Sequence, residues 1–113
     1  MNRFINAGAV LSTTPNDLYT CPNNSHAVIH TLFFSRTDLD PEKKIYINVQ
    51  VFDASMNATY YLAFSTEVLA HSTLSFDKPI NLDSNDILRV SATSDDNDVH
   101  VFASILHIVP MSL

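Results

Sequence analysis

The residues of this sequence that could hold a metal ion are five histidines and one cysteine. The histidines are His26, His30, His71, His100 and His107. A zinc site needs three or four converging ligands, and the single Cys21 leaves a poor choice of partners. We therefore expect these histidines to be packing or surface residues and predict no metal site.

Two turns rich in carboxylates are the other group that could bind a cation. Asp83 and Asp86 lie in one turn, and Asp95, Asp96 and Asp98 lie in another. Calcium prefers oxygen-rich loops, but the EF-hand pattern with its glycine and distal glutamate is missing. We expect solvated turn residues that set hairpin geometry.

Motifs for covalent catalysis are missing from the sequence. It has one glycine, Gly8, and therefore no G-x-S-x-G elbow and no glycine-rich phosphate loop. Cys21 precedes Pro22 and belongs to no known Cys–His motif, so we expect it to be a small buried hydrophobic residue. The sequence predicts no catalytic residue, no cofactor and no enzymatic activity.

Composition predicts a single acidic globular domain. The chain has 113 residues, of which 46% are hydrophobic, and its net charge is −6. The largest basic cluster is Lys43–Lys44, too small for a sequence-independent grip on nucleic acid. The N-terminus has no long apolar signal region, and no apolar run approaches the ~20 residues of a membrane helix. We expect synthesis in a reducing cytoplasm and no partner that is a nucleic acid or a membrane.

Hydrophobic residues alternate along Lys44–Ala54 in a way that predicts a central β-strand. Ile45, Ile47, Val49 and Val51 share one face of an extended chain, a period of two. No segment has a sustained helical period, and all five prolines fall between predicted strands. The fold class we predict is all-β: a single-domain antiparallel β-sandwich, jelly-roll-like, with about eight strands.

The strands themselves carry further expectations. With one glycine, asparagine and aspartate must occupy the positive-φ turn positions. His26–Ser35 and Val99–Val109 are apolar on both faces, which is typical of a strand covered on both sides or lying at an interface. On alternation alone, Val28, His30, Leu32 and Phe34 should share one face of the first of these strands.

Two groups of apolar residues are candidates for contacts with partners. Residues 1–15 form either an edge strand or an arm that packs on a neighbouring subunit, and residues 16–113 form the sandwich domain. The candidate interface residues in the first segment are Phe4, Ile5, Val10 and Leu11. Those in the second are Tyr46, Phe52 and Tyr61, which form an exposed patch unless side loops cover them.

Short motifs along most of the chain resemble small virion structural proteins of tailed bacteriophages. Asp17–Pro22 (DLYTCP) followed by Ala27–His30 (AVIH) is similar to the "LYT-x-P … A-V-V" opening found in phages of marine bacteria and cyanobacteria. Ile80–Leu82 and Asp86–Val90 match the later "L-x-L … G-D-x-L-x-V" stretch. Asn85 replaces the glycine of that stretch and also accepts positive φ.

The resemblance implies a non-enzymatic building block present in many copies in the virion. It favours a capsid decoration or cement protein that binds the capsid exterior and bridges neighbouring subunits. The implied partners are the major capsid protein or other virion proteins, and we expect a homo-oligomer. The alternatives are a tail, neck or fibre component, or a carbohydrate- or receptor-binding module that stacks sugars on Tyr46, Tyr60 or Tyr61.

Overall fold

Residues 2–109, which the computed structural model describes, form nine β-strands and no helix. The predicted all-β fold class is therefore confirmed. The last strand ends at Ile108, one residue before the predicted end at Val109. Residue 1 and residues 110–113 lie outside the described part. The strands are β1 (Asn2–Val10), β2 (Asn16–Thr20), β3 (His26–Arg36), β4 (Ile45–Asp53), β5 (Ala58–Val68), β6 (Thr73–Phe76), β7 (Ile80–Leu82), β8 (Ile87–Ala92) and β9 (Val99–Ile108).

The strands form two antiparallel sheets. Sheet A has the order β1-β9-β3-β6, with β7 pairing the other half of β3, and sheet B has the order β2-β8-β4-β5. Because β6 and β7 both pair with β3, they act as one interrupted edge strand. The arrangement is then two four-stranded sheets with the chain crossing repeatedly between them, which is an eight-stranded jelly roll.

The core lies between the sheets, and β4 contributes to it as expected. Ile45, Ile47 and Val49 are fully buried, whereas Tyr46 and Asn48 between them are partly exposed. Phe34 is the largest fully buried side chain, and its ring meets the Phe76 ring edge-on at 5.8 Å. Burial of each such side chain contributes about 1.5–3 kcal/mol, so this interior supplies most of the drive to fold.

A β-bulge in β3 makes our assignment of its faces wrong. The register with β9 shifts between Ile29 and Thr31. As a result, Ala27 and Ile29 point inward before the bulge, and Leu32 and Phe34 point inward after it. An extra residue in one strand changes the phase of the alternation, which the sequence pattern alone does not reveal.

Asparagine occupies most of the positive-φ positions, as the scarcity of glycine predicted. The asparagines are Asn24, Asn57, Asn85 and Asn97, with φ between 49° and 69°. The short polar side chain of asparagine tolerates this region better than that of most residues. Ser65 and His71 also have positive φ, which we did not expect, and no aspartate does in the described part of the chain.

A buried guanidinium closes one end of the sandwich. The side chain of Arg36 is 1% exposed, and its Nε and Nη2 donate to the two carboxylate oxygens of Asp38 at 2.5 and 2.9 Å. It also donates to the backbone oxygens of Val68, Asp40 and Lys43 at 3.0, 2.8 and 2.6 Å. The hydrogen bond from Arg36 lowers the pKa of Asp38 to about 2. Arg36 thus holds the loop between β3 and β4 against the end of β5.

Candidate interaction surfaces

The acidic turns expected to be solvated are fixed by hydrogen bonds of their own. Lys43 Nζ donates to Asp96 at 2.8 Å and to Asp98 at 2.5 Å, which raises the pKa of Lys43. Asp95 accepts from the backbone and hydroxyl of Thr13, and Asp86 accepts from the backbone N–H of Ala54. Within residues 2–109, no group of three or more histidine, cysteine or carboxylate side chains is placed to hold a metal ion.

His26 and His30 are four residues apart in sequence, a spacing that would bring two metal ligands to the same face of a helix. His26 and His30 lie in the strand β3, where four residues span about 13 Å. His26 Nδ1 instead lies 3.0 Å from Asp83 Oδ1, and the His30 ring lies 6.2 Å from the Phe4 ring. The strand geometry therefore keeps these two imidazoles apart.

Cys21 is fully buried, as the sequence predicted. Its Sγ lies 3.5 Å from the backbone oxygen of Ser25 and 3.9 Å from that of Leu82. Burial raises the pKa of the Cys21 thiol, and the nearby carboxylates of Asp86 and Asp83 raise it further. A buried thiol that resists ionisation is a poor nucleophile.

The outer face of sheet A carries no Lys, Arg, Asp or Glu side chain, and we call it the neutral face. The registers of β1, β9, β3, β6 and β7 define its outward positions. They are Asn2, Phe4, Asn6, Gly8, Val10, His26, Val28, His30, Thr31, Phe33, Ser35, Thr73, Ser75, Asn81, His100, Phe102, Ser104, Leu106 and Ile108. The chain has eighteen Lys, Arg, Asp and Glu residues, so a four-stranded face that holds none of them differs clearly from the rest of the surface.

Large apolar side chains stand out from the neutral face. Phe4 is 80% exposed, and Val10, Phe33 and Phe102 are between 36% and 47% exposed. At the Val10 end, the side chains of Val10, Phe33 and Phe102, with Ser35 and His100, line a shallow depression of about 380 Å³. Gly8 lies beside this depression, where a Cβ would come within 3.3 Å of the Phe102 ring. The one glycine of the chain thus lets an aromatic ring lie against the backbone of β1.

The outer face of sheet B has a different character because it carries ion pairs. Arg89 Nε donates to Asp17 Oδ1 at 2.7 Å, and the Arg89 guanidinium lies 5.3 Å above the Phe52 ring. Glu67 lies on the same face, opposite Tyr46. Tyr46 and Phe52 are six residues apart on β4, about 20 Å, so they lie at opposite ends of this face.

Strand β5 is the exposed edge of sheet B and forms an apolar rim. The rim consists of Tyr60, Tyr61, Leu62 and Phe64, each 46–67% exposed. The rings of Tyr61 and Phe64 meet edge-on at 5.0 Å. Leu62 also lines an open groove of about 450 Å³ between β5 and the β6–β7 connection, together with Val49, Phe76, Pro79 and Ile80. The flank of the sandwich at β5 is therefore incompletely covered.

The predicted interface residues do not lie together. Phe4 and Val10 are on the neutral face, whereas Tyr46, Phe52 and Tyr61 are on the sheet B side. Ile5 points inward and is half-buried. Leu11 is 1% exposed and packs in the core, so the expectation that its side chain faces a partner is corrected here. The cause is that Leu11 continues the pairing of β1 with β9, its N–H donating to the Val99 oxygen at 2.9 Å, and its side chain has the same inward phase as Ala7 and Ala9.

Four exposed residues were not among the predicted interface residues: Phe33 and Phe102 on the neutral face, and Leu62 and Phe64 on the rim. Phe33 and Phe102 are direct neighbours across β3 and β9, towards the Val10 end of the neutral face. The sequence feature that indicates Phe33 and Phe102 is the apolar character of both faces of β3 and β9. One face of each strand fills the core, and the other is left outside.

Comparison with solved structures places the fold among chains from viral particles. A chain from the acid-stable capsid structure of Helicobacter pylori bacteriophage KHP30 is similar with a TM-score of 0.62 and 11% sequence identity. The match covers 99% of this chain and 90% of that chain. The two chains are therefore similar in fold over nearly their whole lengths. No protein-family model matches the sequence, and no curated protein matches it significantly.

Two structures of infectious bursal disease virus share the fold over part of a longer chain. The T13 viral particle gives a TM-score of 0.57 at 11% identity, covering 96% of this chain and 31% of that chain. The structure of the Gx strain gives a TM-score of 0.54 at 8% sequence identity, and the match covers 96% of this chain and 33% of that chain. This chain thus spans about a third of the chains it matches in that virus. Within residues 2–109 no helix has the length and hydropathy to cross a membrane.

Proposed function

We propose that the protein is a capsid decoration or cement protein that binds the exterior of a phage capsid and bridges neighbouring subunits. The observation that carries this proposal is the structural match to a chain of a phage capsid structure, which covers 99% of this chain and 90% of that chain. Jelly rolls are a recurrent architecture of viral capsid domains. The described part of the chain also has no group of three or more His, Cys, Asp or Glu side chains placed to hold a metal ion. Its chemistry is that of surfaces.

The rim on β5 is the surface that we assign to the major capsid protein. An edge strand presents unpaired backbone N–H and C=O groups that an extended segment can use. Four large side chains lie along this edge, and the open groove beside Leu62 offers an apolar pocket next to it. Aromatic and aliphatic groups of this kind carry most of the binding energy where a partner buries them.

A binding assay with particles tests the proposal. We expect the recombinant protein to co-sediment with capsids of the phage that encodes it, after removal of the native protein. Leu62→Asp and Phe64→Asp should weaken binding by about 30-fold or more, because a hot-spot residue is worth about 2 kcal/mol or more. Leu39→Asp is the matched control, since Leu39 is 74% exposed in the β3–β4 loop and is not one of the rim residues.

The location of the protein in the particle decides between the proposal and its nearest alternative. A reconstruction of the virion should show jelly-roll density on the outer shell surface. Density confined to the neck, tail or fibre would reject the capsid assignment in favour of those sites, and absence from purified virions would reject a structural role.

Sugar binding is the second candidate, supported by the exposure of two aromatic rings. Tyr60 and Tyr61 are 49% and 53% exposed on the rim. Adjacent residues of a strand point to opposite faces, so each ring offers a separate stacking surface. A glycan array with hits that Tyr60→Ala or Tyr61→Ala abolishes would support this reading. An array without hits, together with particle binding, would leave the capsid role.

A further inference from the structure

We propose that the neutral face pairs with the neutral face of a second copy of this chain to form a symmetric dimer. This inference does not rest on the capsid role, because it concerns a different sheet from the rim. It rests on the charge, the size and the shape of the outer face of sheet A.

Charge points to a second copy as the occupant. Each chain has a net charge of −6, and the outward positions of the neutral face hold none of its Lys, Arg, Asp and Glu residues. Two copies that meet through this face bury no Lys, Arg, Asp or Glu side chain within it, so the desolvation cost of those charges is avoided. A strongly charged partner would find no complementary group here.

The size of the face suits a dimer if all of it is used. β9 has ten residues, and sheet A is four strands wide. At about 3.3 Å per residue and about 4.8 Å between strands, the face measures about 33 by 19 Å, or roughly 600 Å². Two such faces bury roughly 1,200 Å², the lower end of the range for a stable interface. A smaller partner would leave part of it uncovered.

The shape of the face is complementary to itself. Phe4, the most exposed ring, lies at one end of β1, and the depression beside Val10 and Phe102 lies at the other. A two-fold axis in the interface, running across the strands, places Phe4 of each copy over the Val10 end of the other. The depression has about 380 Å³, and a cavity of about 150 Å³ already accepts a benzene ring.

Sedimentation equilibrium over a concentration series tests the dimer. We expect a mass of twice 12.6 kDa at micromolar concentrations. Phe4→Asp and Phe102→Asp should each raise the dissociation constant by about 30-fold or more. Phe64→Asp is the control, because Phe64 is 67% exposed but lies on the rim. Melting temperatures of each variant and of the wild type, measured on dilute monomeric protein, show whether a variant has lost only dimerisation or also its folding stability.

A charge-pair rescue tests the two-fold arrangement itself. Phe4→Asp and Val10→Lys should each produce monomers, and the double variant should dimerise again, because each Asp then meets the partner's Lys. A wild-type protein that stays monomeric at 100 µM would overturn the proposal. So would a control variant that dissociates as readily as Phe102→Asp, or a double variant that fails to pair. None of these results bears on particle binding, which is assayed separately.

Discussion

Replacing Arg36 by methionine should destabilise the fold strongly, although Arg36 stands beside a loop rich in charged residues. Methionine keeps an apolar stem of similar length but removes every hydrogen bond of the guanidinium. Those bonds reach both oxygens of Asp38 and three backbone oxygens, all within 3.0 Å. They join the β3–β4 loop to the end of β5, so their loss releases a whole end of the sandwich.

The size of the effect follows from the burial of the pair. Removing one partner of a buried ion pair costs about 3–5 kcal/mol. The Asp38 side chain is 13% exposed and can regain some water, which favours the lower value, about 3 kcal/mol. An unfolding entropy of about 2.1 cal/mol/K per residue over 113 residues makes this a fall of about 12 °C in melting temperature.

Thermal unfolding followed by circular dichroism measures this shift, and Arg89→Met is the matched control. Arg89 makes one ion pair, with Asp17, and both side chains are partly exposed. Its replacement should cost at most about 1 kcal/mol, or about 4 °C. If Arg36→Met melts within 3 °C of the wild type, or no lower than Arg89→Met, then the buried network does not hold this end of the sandwich as argued.

Three further predictions concern single residues. Because the pKa of Asp38 is lowered to about 2, its ion pair stabilises the fold above pH 4 and is lost as the pH falls towards 2. Asp38→Asn should therefore melt below the wild type at pH 7, with a gap that closes in acid; a gap that is constant with pH would contradict this. Asn57 has a φ of 49°, so Asn57→Ala should cost about 1 kcal/mol in urea unfolding while Asn57→Gly costs nothing; equal losses would contradict this. Burial, reinforced by Asp86, raises the pKa of the Cys21 thiol, so Cys21 should resist a disulfide reagent until the protein unfolds; rapid labelling of the native protein would refute it.

The parts of the fold that were predictable from sequence are those that depend on local alternation. The stretch Lys44–Ala54 contains β4, whose buried face has the expected residues Ile45, Ile47 and Val49. A strand with one buried face must alternate, so the pattern and the structure agree. Asn85 in the turn before β8 likewise has the positive φ that its place in the motif required.

The parts that were not predictable depend on distant partners. The bulge in β3 is visible only in its pairing with β9, and the burial of Leu11 depends on the pairing of the first strand with β9. Arg36 lies in a polar stretch of sequence, and nothing local shows that its acceptors come from the loop and from β5. The pairings with β9 and the contact of Arg36 with Val68 join residues far apart in the chain, where a single sequence carries no pairing information.

The candidate surfaces were predictable as residue types but not as surfaces. Phe4 and Tyr61 were both predicted as interface residues, yet they lie on opposite sheets. The neutral face arises from five strands that jelly-roll topology brings together, and no two of them are adjacent in sequence except β6 and β7. The absence of charge from it becomes apparent only once the outward positions of all five strands are known.

The two proposed surfaces together account for how such a small domain could bridge capsid subunits. A dimer paired through the neutral face stacks four sheets, with the two copies of sheet B outermost. At about 10 Å between stacked sheets, the two rims lie roughly 30 Å apart and both remain accessible. Once one rim of the dimer is bound to a capsid subunit, the other rim is held near the neighbouring subunit. Its effective concentration there reaches the millimolar range when the two sites are a short distance apart. Weak contacts at each rim then add to firm attachment, provided that neighbouring subunits offer their sites at that spacing.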